Sequence, residues 1–332
     1  GRAYIADTML KEVNPSCDAL GEENKLIFAT SMLAGSGAST ALRLSVGTKS
    51  PLTGGIKESN SGGTFASAMA KQNIRAIILE DKPVDDKWYL LKFDSEGKPE
   101  LLDASKYIGM NTYEFVDELK KEYGDKISFA GIGVAGERMY NSASLQITDS
   151  ASGLPARAAA RGGVGAILGS KQIKGIVFEK SRGEKFPFVD KKGVMAARKA
   201  YMDVLMNHPV LGLSITGTIA SIDDHAVVGI LPNHNFCGKV IESQDLDKIS
   251  VKRFLSDINE NGGKTGQACQ PGCIVRCSNI YKNRIGDVVT AALEYETIGL
   301  CGSNLDIYDL EFIAEMDHFW YGGDFVLYGP IE

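Results

Sequence analysis

Short apolar runs separated by glycines dominate the first half of the chain. Leu26-Ile-Phe-Ala-Thr30 is continuously apolar, as a buried strand requires, and Arg43-Leu-Ser-Val-Gly47 alternates, as a half-buried strand does. Arg75-Ala-Ile-Ile-Leu79 and Trp88-Tyr-Leu-Leu-Lys-Phe93 read as two more strands, joined by a charged turn with Pro83 and Asp85-Asp86. Ile127-Ser-Phe-Ala130 and Gly175-Ile-Val-Phe-Glu179 complete the strands that the pattern supports. Asn111 with Glu114 three residues on is a capping box, which closes free N–H groups at a helix start. Phe115, Val116 and Leu119 give that helix its apolar stripe, and Gly124 ends it.

Beyond Lys180 the period lengthens. Ser181-Arg-Gly-Glu-Lys-Phe-Pro187 reads as a polar linker, and helical spacing prevails after it. Residues 194–206 form a predicted helix with Ala197, Tyr201, Val204 and Leu205 on one side. Residues 251–258 and 310–319 are further amphipathic helices. The expected fold class is therefore α+β: a β-rich domain over 1–180, then an all-α domain over 181–332. A length of 332 residues suits two domains. The chain starts at Gly1 without a Met and stops after a dense apolar-aromatic run, so both ends are expected to be cut from something longer.

Composition narrows the function classes. A net charge of −6 leaves no nucleic-acid footprint, and no run of about 18 apolar residues exists to span a membrane. Three of the six cysteines fall within Cys269-Gln-Pro-Gly-Cys273-Ile-Val-Arg-Cys277, and Cys17, Cys237 and Cys301 are scattered. In a chain this long the cluster points to a metal role in a reducing, cytoplasmic compartment rather than to a disulfide framework. The spacing would stack three thiols on one helix face, but Pro271 and Gly272 break a helix there. The loop can instead wrap three soft ligands around an iron–sulfur cluster or a zinc ion. The histidines at 208, 225, 234 and 318 do not pair with the thiols by spacing, and His234 is the one worth testing. Asp223-Asp224 reads as a solvated turn.

Two segments hold more Gly and Ser than packing demands. Thr48-Lys-Ser-Pro-Leu-Thr-Gly-Gly55 leads into Ser59-Asn-Ser-Gly-Gly-Thr64, and Arg157-Ala-Ala-Ala-Arg161 runs into Gly162-Gly-Val-Gly165-Ala-Ile-Leu-Gly169-Ser-Lys171. Glycine amides and arginines together suit an anion. The Gly162–Gly169 stretch has neither the dinucleotide fingerprint nor the Walker spacing. Tight turns with a glycine face packed on a helix would give the same composition.

The order of these stretches, with Gly131-Ile-Gly-Val-Ala-Gly-Glu137 and Glu294-Tyr-Glu-Thr297, resembles the tungsten-containing aldehyde:ferredoxin oxidoreductase family. The resemblance implies a bis-pyranopterin cofactor carrying tungsten or molybdenum, held by the first domain, and a [4Fe-4S] cluster on Cys269, Cys273 and Cys277. It places Arg43, Asn60, Gly62 and Gly63 along one pterin, and Arg157, Ala158, Arg161, Gly162 and Gly163 around the other. Asn60 and Ala158 would approach a Mg2+ ion bridging the phosphates, and Glu294 or Glu296 would be the acid/base of aldehyde oxidation. Ferredoxin, or an iron–sulfur electron-transfer subunit, would accept the electrons, and a homodimer follows by analogy.

Departures accompany the resemblance. Three residues, not two, separate the first two cysteines, and 318–328 do not match the family's Asp-x-x-Gly-Leu-Asp segment. The family's third domain, with a fourth cluster cysteine and a catalytic histidine, is expected to lie beyond the last residue of this chain, and Cys301 is expected to be structural. A truncated, non-catalytic relative that binds a cluster or zinc as a scaffold module is the competing expectation.

Overall fold

The computed structural model describes residues 1–324 apart from 184, 185, 239 and 292. Part of the polar linker and the unmatched stretch at 325–328 thus lie outside the described residues. Two compact units divide the chain. The first holds residues 1–196, with 270–272 and 321–324; the second holds 197–269 and 273–320.

The first unit contains two sheets. β1 (Leu26–Thr30), β2 (Leu44–Lys49), β3 (Ile56–Ser61) and β4 (Ala76–Leu79) form an antiparallel sheet in the order β3-β2-β1-β4. The second sheet comprises β5 (Tyr89–Phe93), β6 (Pro99–Asp103), β7 (Ser128–Gly131), β8 (Leu145–Ile147), β9 (Arg157–Ala159) and β10 (Ile173–Phe178). Its order is β6-β5-β10-β7-β8-β9, and only the β5–β10 pair is parallel. β4 and β5, both expected as strands, are joined by the charged segment and belong to different sheets.

One core joins the apolar faces of both sheets. Phe28 and Val46 of the first meet Ile147 and Phe178 of the second, and all four are fully buried. Phe178 stacks on Phe93 at 4.4 Å between centroids and takes the edge of Phe65 at 5.1 Å. Truncating such a ring to Ala costs about 3–5 kcal/mol. Five helices accompany these sheets: α1 (Arg2–Glu12), α2 (Phe65–Lys71), α3 (Thr112–Tyr123), α4 (Val134–Glu137) and α5 (Val164–Ser170). The expected capping box of α3 is present, with Asn111 Oδ1 accepting from Tyr113 N and Glu114 N. The stripe of α3 covers the other face of the second sheet, where Phe115 packs on Phe129.

The second unit is not all-α. α6 (Lys191–Met206) starts at the end of the first unit, and α7 (Ser221–Val227), α8 (Val251–Asn261), α9 (Tyr295–Thr297) and α10 (Leu310–Gly323) follow. They share their region with an antiparallel sheet of β11 (Lys264–Gln267), β12 (Ser278–Lys282) and β13 (Val288–Thr290). These strands have three to five residues each, too short to reveal a two-residue period. Asp223 and Asp224 sit in the first turn of α7 rather than in a loop, where their charge suits the helix dipole. Tyr201 and Val204 of α6 stay exposed, so its predicted apolar side is not buried. No described helix is long and apolar enough to cross a membrane.

Candidate functional site

The two glycine-rich segments meet within the first unit. Ser59 of β3 accepts, through Oγ, a hydrogen bond from Arg161 N just past β9 (3.0 Å). Gly63 has φ +89, and a Cβ there would stand 2.6 Å from Ile147 and 2.7 Å from the Thr148 carbonyl. Gly163 has φ +68, and a Cβ would meet Asn141 O at 2.5 Å. Glycine is thus required on both loops by conformation and by space.

The arginines differ in what they can do. Arg157 is buried and donates from Nε to Asp149 (2.7 Å), which also accepts from Ala151 N and Ser152 N. Its charge is cancelled where it stands. Arg43 is half-buried and donates to the Asn60 side chain and carbonyl, while Arg161 and Asn60 are exposed. The side chain of Lys57 lies against Gly162, a cation that pattern reading missed because β3 has a single large apolar residue, Ile56, at its exposed end. Ala158 pairs with Gln146 across β8 and β9.

Two buried polar atoms on these strands, Ser61 Oγ and Gln146 Oε1, have no hydrogen-bond partner among the described residues. Buried polar groups are normally satisfied. The solvent-reaching cations and these orphan atoms fit an anionic ligand that also carries hydrogen-bonding groups.

The Gly131–Glu137 stretch serves architecture. Lys174 is buried against Glu137, which also accepts from Gly109 N. Asp324 accepts from Ala135 N and Gly136 N at 2.9 Å each, and burial pushes its carboxyl up to about 7.

In the second unit the cysteine run lies between β11 and β12 and is not helical, as Pro271 and Gly272 led us to expect. Cys273 is buried, and Cys269 and Cys277 are half-buried. Cys269 is hydrogen-bonded to both others. Its bond to Cys277 pulls that thiol down to about 7, against burial and the Glu294 charge. Its bond to Cys273, with burial, drives that thiol up. Thiolates are the ligand form, so one of the three is already disposed to bind. The donor set fits three corners of an iron–sulfur cluster in its chemistry. Among the described residues no group of three or more His, Cys, Asp or Glu side chains has a ready metal-binding arrangement. Cys301 is buried in the apolar core of this unit, where a thiol packs as a small hydrophobe.

The two glutamates part company. Glu294 precedes α9 and accepts through Oε2 from Thr218 Oγ1 (2.5 Å), which in turn accepts from Tyr295 N (3.0 Å). Gly217, next to Thr218, lies so close to the Cys277 carbonyl that no Cβ would fit. Close packing at Gly217 thus brings the thiol loop beside the Thr218–Glu294 pair. Glu296 is exposed. None of the histidines joins the thiols among the described residues. His234 pairs with Asp306 at 2.8 Å beside a cavity of about 790 Å³, and His318 Nδ1 contacts Val289 O. Thr218 carries no sequence signal, since it acts through a partner 76 residues away, and Asp149 was passed over although its partners lie within eight residues.

Comparisons with known proteins accord with this geometry. The model for "Aldehyde ferredoxin oxidoreductase, N-terminal domain" matches residues 1–180, and that for "Aldehyde ferredoxin oxidoreductase, domains 2 & 3" matches 196–322. The tungsten-containing aldehyde ferredoxin oxidoreductase of Pyrococcus abyssi is 38% identical over 97% of this chain and 51% of its own length. Its counterpart in Thermococcus kodakarensis is 35% identical over 93% of this chain and 49% of its own. The chain thus spans about half the length of these relatives. Among solved structures, the active site complex BamBC of benzoyl coenzyme A reductase superposes with a TM-score of 0.81 over 98% of this chain and 48% of that one. At 20% identity it bears on the fold alone.

Proposed function

Since the chain belongs to the aldehyde ferredoxin oxidoreductase family, we propose that it serves the oxidation of an aldehyde, with water, to a carboxylic acid. The reaction releases two electrons and two protons. The electrons leave singly through a [4Fe-4S] cluster to ferredoxin or an iron–sulfur subunit. The observation that carries this reading is the contact between the 59–63 and 157–163 segments, in a chain where Cys269 lies within hydrogen-bonding reach of both Cys273 and Cys277.

A tungsten or molybdenum bis-pyranopterin, when bound, supplies the two-electron redox chemistry. Arg43 and Arg161 would neutralise its phosphates, with Lys57 beside them, and Gly62, Gly63, Gly162 and Gly163 would let backbone amides approach. Asn60 and Ala158 would stand nearest a bridging Mg2+. Arg157, spent on Asp149, would hold β9 in place rather than add charge. Cys269, Cys273 and Cys277 would hold the cluster, with a fourth ligand from outside this set. Glu294, fixed by Thr218, would move the proton; Glu296 would remain solvated. We assign the cofactor cradle to residues 1–180 and the cluster and acid/base to 181–332.

Metal analysis of anaerobically purified protein tests this. Tungsten or molybdenum with about four irons per chain is expected for one [4Fe-4S] cluster. Zinc alone would favour the scaffold reading. A protein holding neither pterin, iron nor zinc would overturn both.

A further inference from the structure

We propose that a lysine-rimmed cavity in the first unit is the docking surface for a small acidic one-electron carrier protein, an inference that rests on the function above. The cavity has about 260 Å³, and Pro271 forms part of its wall. In the sequence Pro271 is two residues from both Cys269 and Cys273, a separation that a chain spans in at most about 7 Å.

The floor asks for no small ligand. Thr64 Oγ1 and Ser128 Oγ bond each other at 2.6 Å, Thr148 Oγ1 accepts from Phe129 N, and Asp149 is occupied by Arg157 and Ser152. None of the buried atoms without partners lines it. Its volume is also below the roughly 300 Å³ at which ligand pockets begin.

The rim is different. Lys71, Lys126 and Lys180 are exposed, and among the described residues none enters an ion pair. Of the acids at the cavity, Asp149 is paired and Glu179 is held by Lys92 at 3.3 Å, which leaves Asp125. The rim is therefore net positive on a chain of net charge −6. An acidic carrier is repelled by most of such a surface and attracted here, which orients the encounter. At each encounter the cluster loses one electron and the oxidised carrier gains one, so two carriers are reduced per aldehyde.

The test uses the full-length anaerobic protein, an oxidised acidic ferredoxin with a single [4Fe-4S] cluster, and the triple variant Lys71→Glu/Lys126→Glu/Lys180→Glu. A control variant, Lys11→Glu/Lys199→Glu/Lys252→Glu, makes the same charge change at other exposed lysines. At low salt the rim variant should reduce ferredoxin about 10-fold more slowly, with the difference fading near ~0.5 M salt. Reduction of a neutral quinone should stay within about two-fold, which reports an intact cluster and fold. Ferredoxin reduction equal in the rim variant and wild type, with quinone reduction intact, overturns the docking surface. If no protein reduces either acceptor, the functional reading fails instead, and interferometry with immobilised ferredoxin decides docking. Wild type and control bound with the rim variant lost supports it; equal binding of all three overturns it.

Discussion

Glu294 and Glu296 carry the same group two residues apart, and one hydroxyl distinguishes them. Thr218 fixes Glu294 while Glu296 faces solvent. In the loaded enzyme Glu294→Gln should lower kcat by about 10²–10⁴, the usual range for a lost acid/base, and Glu296→Gln by less than about two-fold. Steady-state kinetics on both variants checks this; equal losses would place the acid/base elsewhere. The sequence left the pair undecided because a strand and a helix orient i and i+2 differently, and the deciding contact is 76 residues away. Arg157 teaches a related lesson. Its place at the head of a run into glycines suggested an anion ligand, and in the fold its Nε donates to the buried carboxylate of Asp149. Arg157→Ala should therefore destabilise the fold by about 3–5 kcal/mol, because it strands a buried charge. Arg161→Ala, at an exposed site, should stay within about 0.5 kcal/mol. Urea denaturation of the two variants separates the roles.

At the scale of elements, α5 shows why composition left two readings open. Gly162 and Gly163 make the left-handed entry to the helix, and further along it Gly169 packs against the Gly136 carbonyl of α4 with no room for a Cβ. The same run therefore serves an anion-type loop and helix packing at once. Gly169→Ala should cost about 1–3 kcal/mol, as overpacking against backbone does, despite the better helix propensity of Ala. Thermal unfolding would register it, and an unchanged midpoint would mean that α4 gives way. Legibility followed element length and local signal. α3 was readable to its cap because Asn111, Glu114 and Gly124 act within one helix. β8 and β9 have three residues each and are strands only because neighbours in the sheet supply their partners. The small sheet around the thiol loop escaped notice for the same reason, so the helical expectation for the second unit held only at its long helices.

The whole molecule has a core in each unit, and its two tryptophans report on them separately. Trp88 packs on the first unit's cores and Trp320 on the second's. The change of pattern near Lys180 was legible because period and composition shift there, whereas the return of 270–272 and 321–324 to the first unit has no local signature. Lys171, also in the first unit, is 2% exposed and donates to the carbonyls of Asn24 and Asp81. Burial lowers its ammonium from 10.5 to about 8. Between those values the unfolded chain binds the proton and the folded chain does not, so stability should rise with pH from 8 toward 10.5. Asp324 acts in the opposite sense: raised from 3.8 to about 7, it contributes stability below 3.8 that is lost as pH rises through 7. Together they give the first unit a stability trough near pH 7 to 8. Tyr107 and Tyr123, both pushed up by burial, oppose the rise above pH 10.0 and bound the usable window. In a Trp320→Phe background, Trp88 fluorescence follows the first unit alone. Its urea midpoint should climb from pH 8 to 10, and Lys171→Met should flatten that climb while leaving the fall between pH 4 and 7. Asp324→Asn should flatten the fall and spare the climb. Parallel profiles in the three proteins would show that neither buried group sets the pH response.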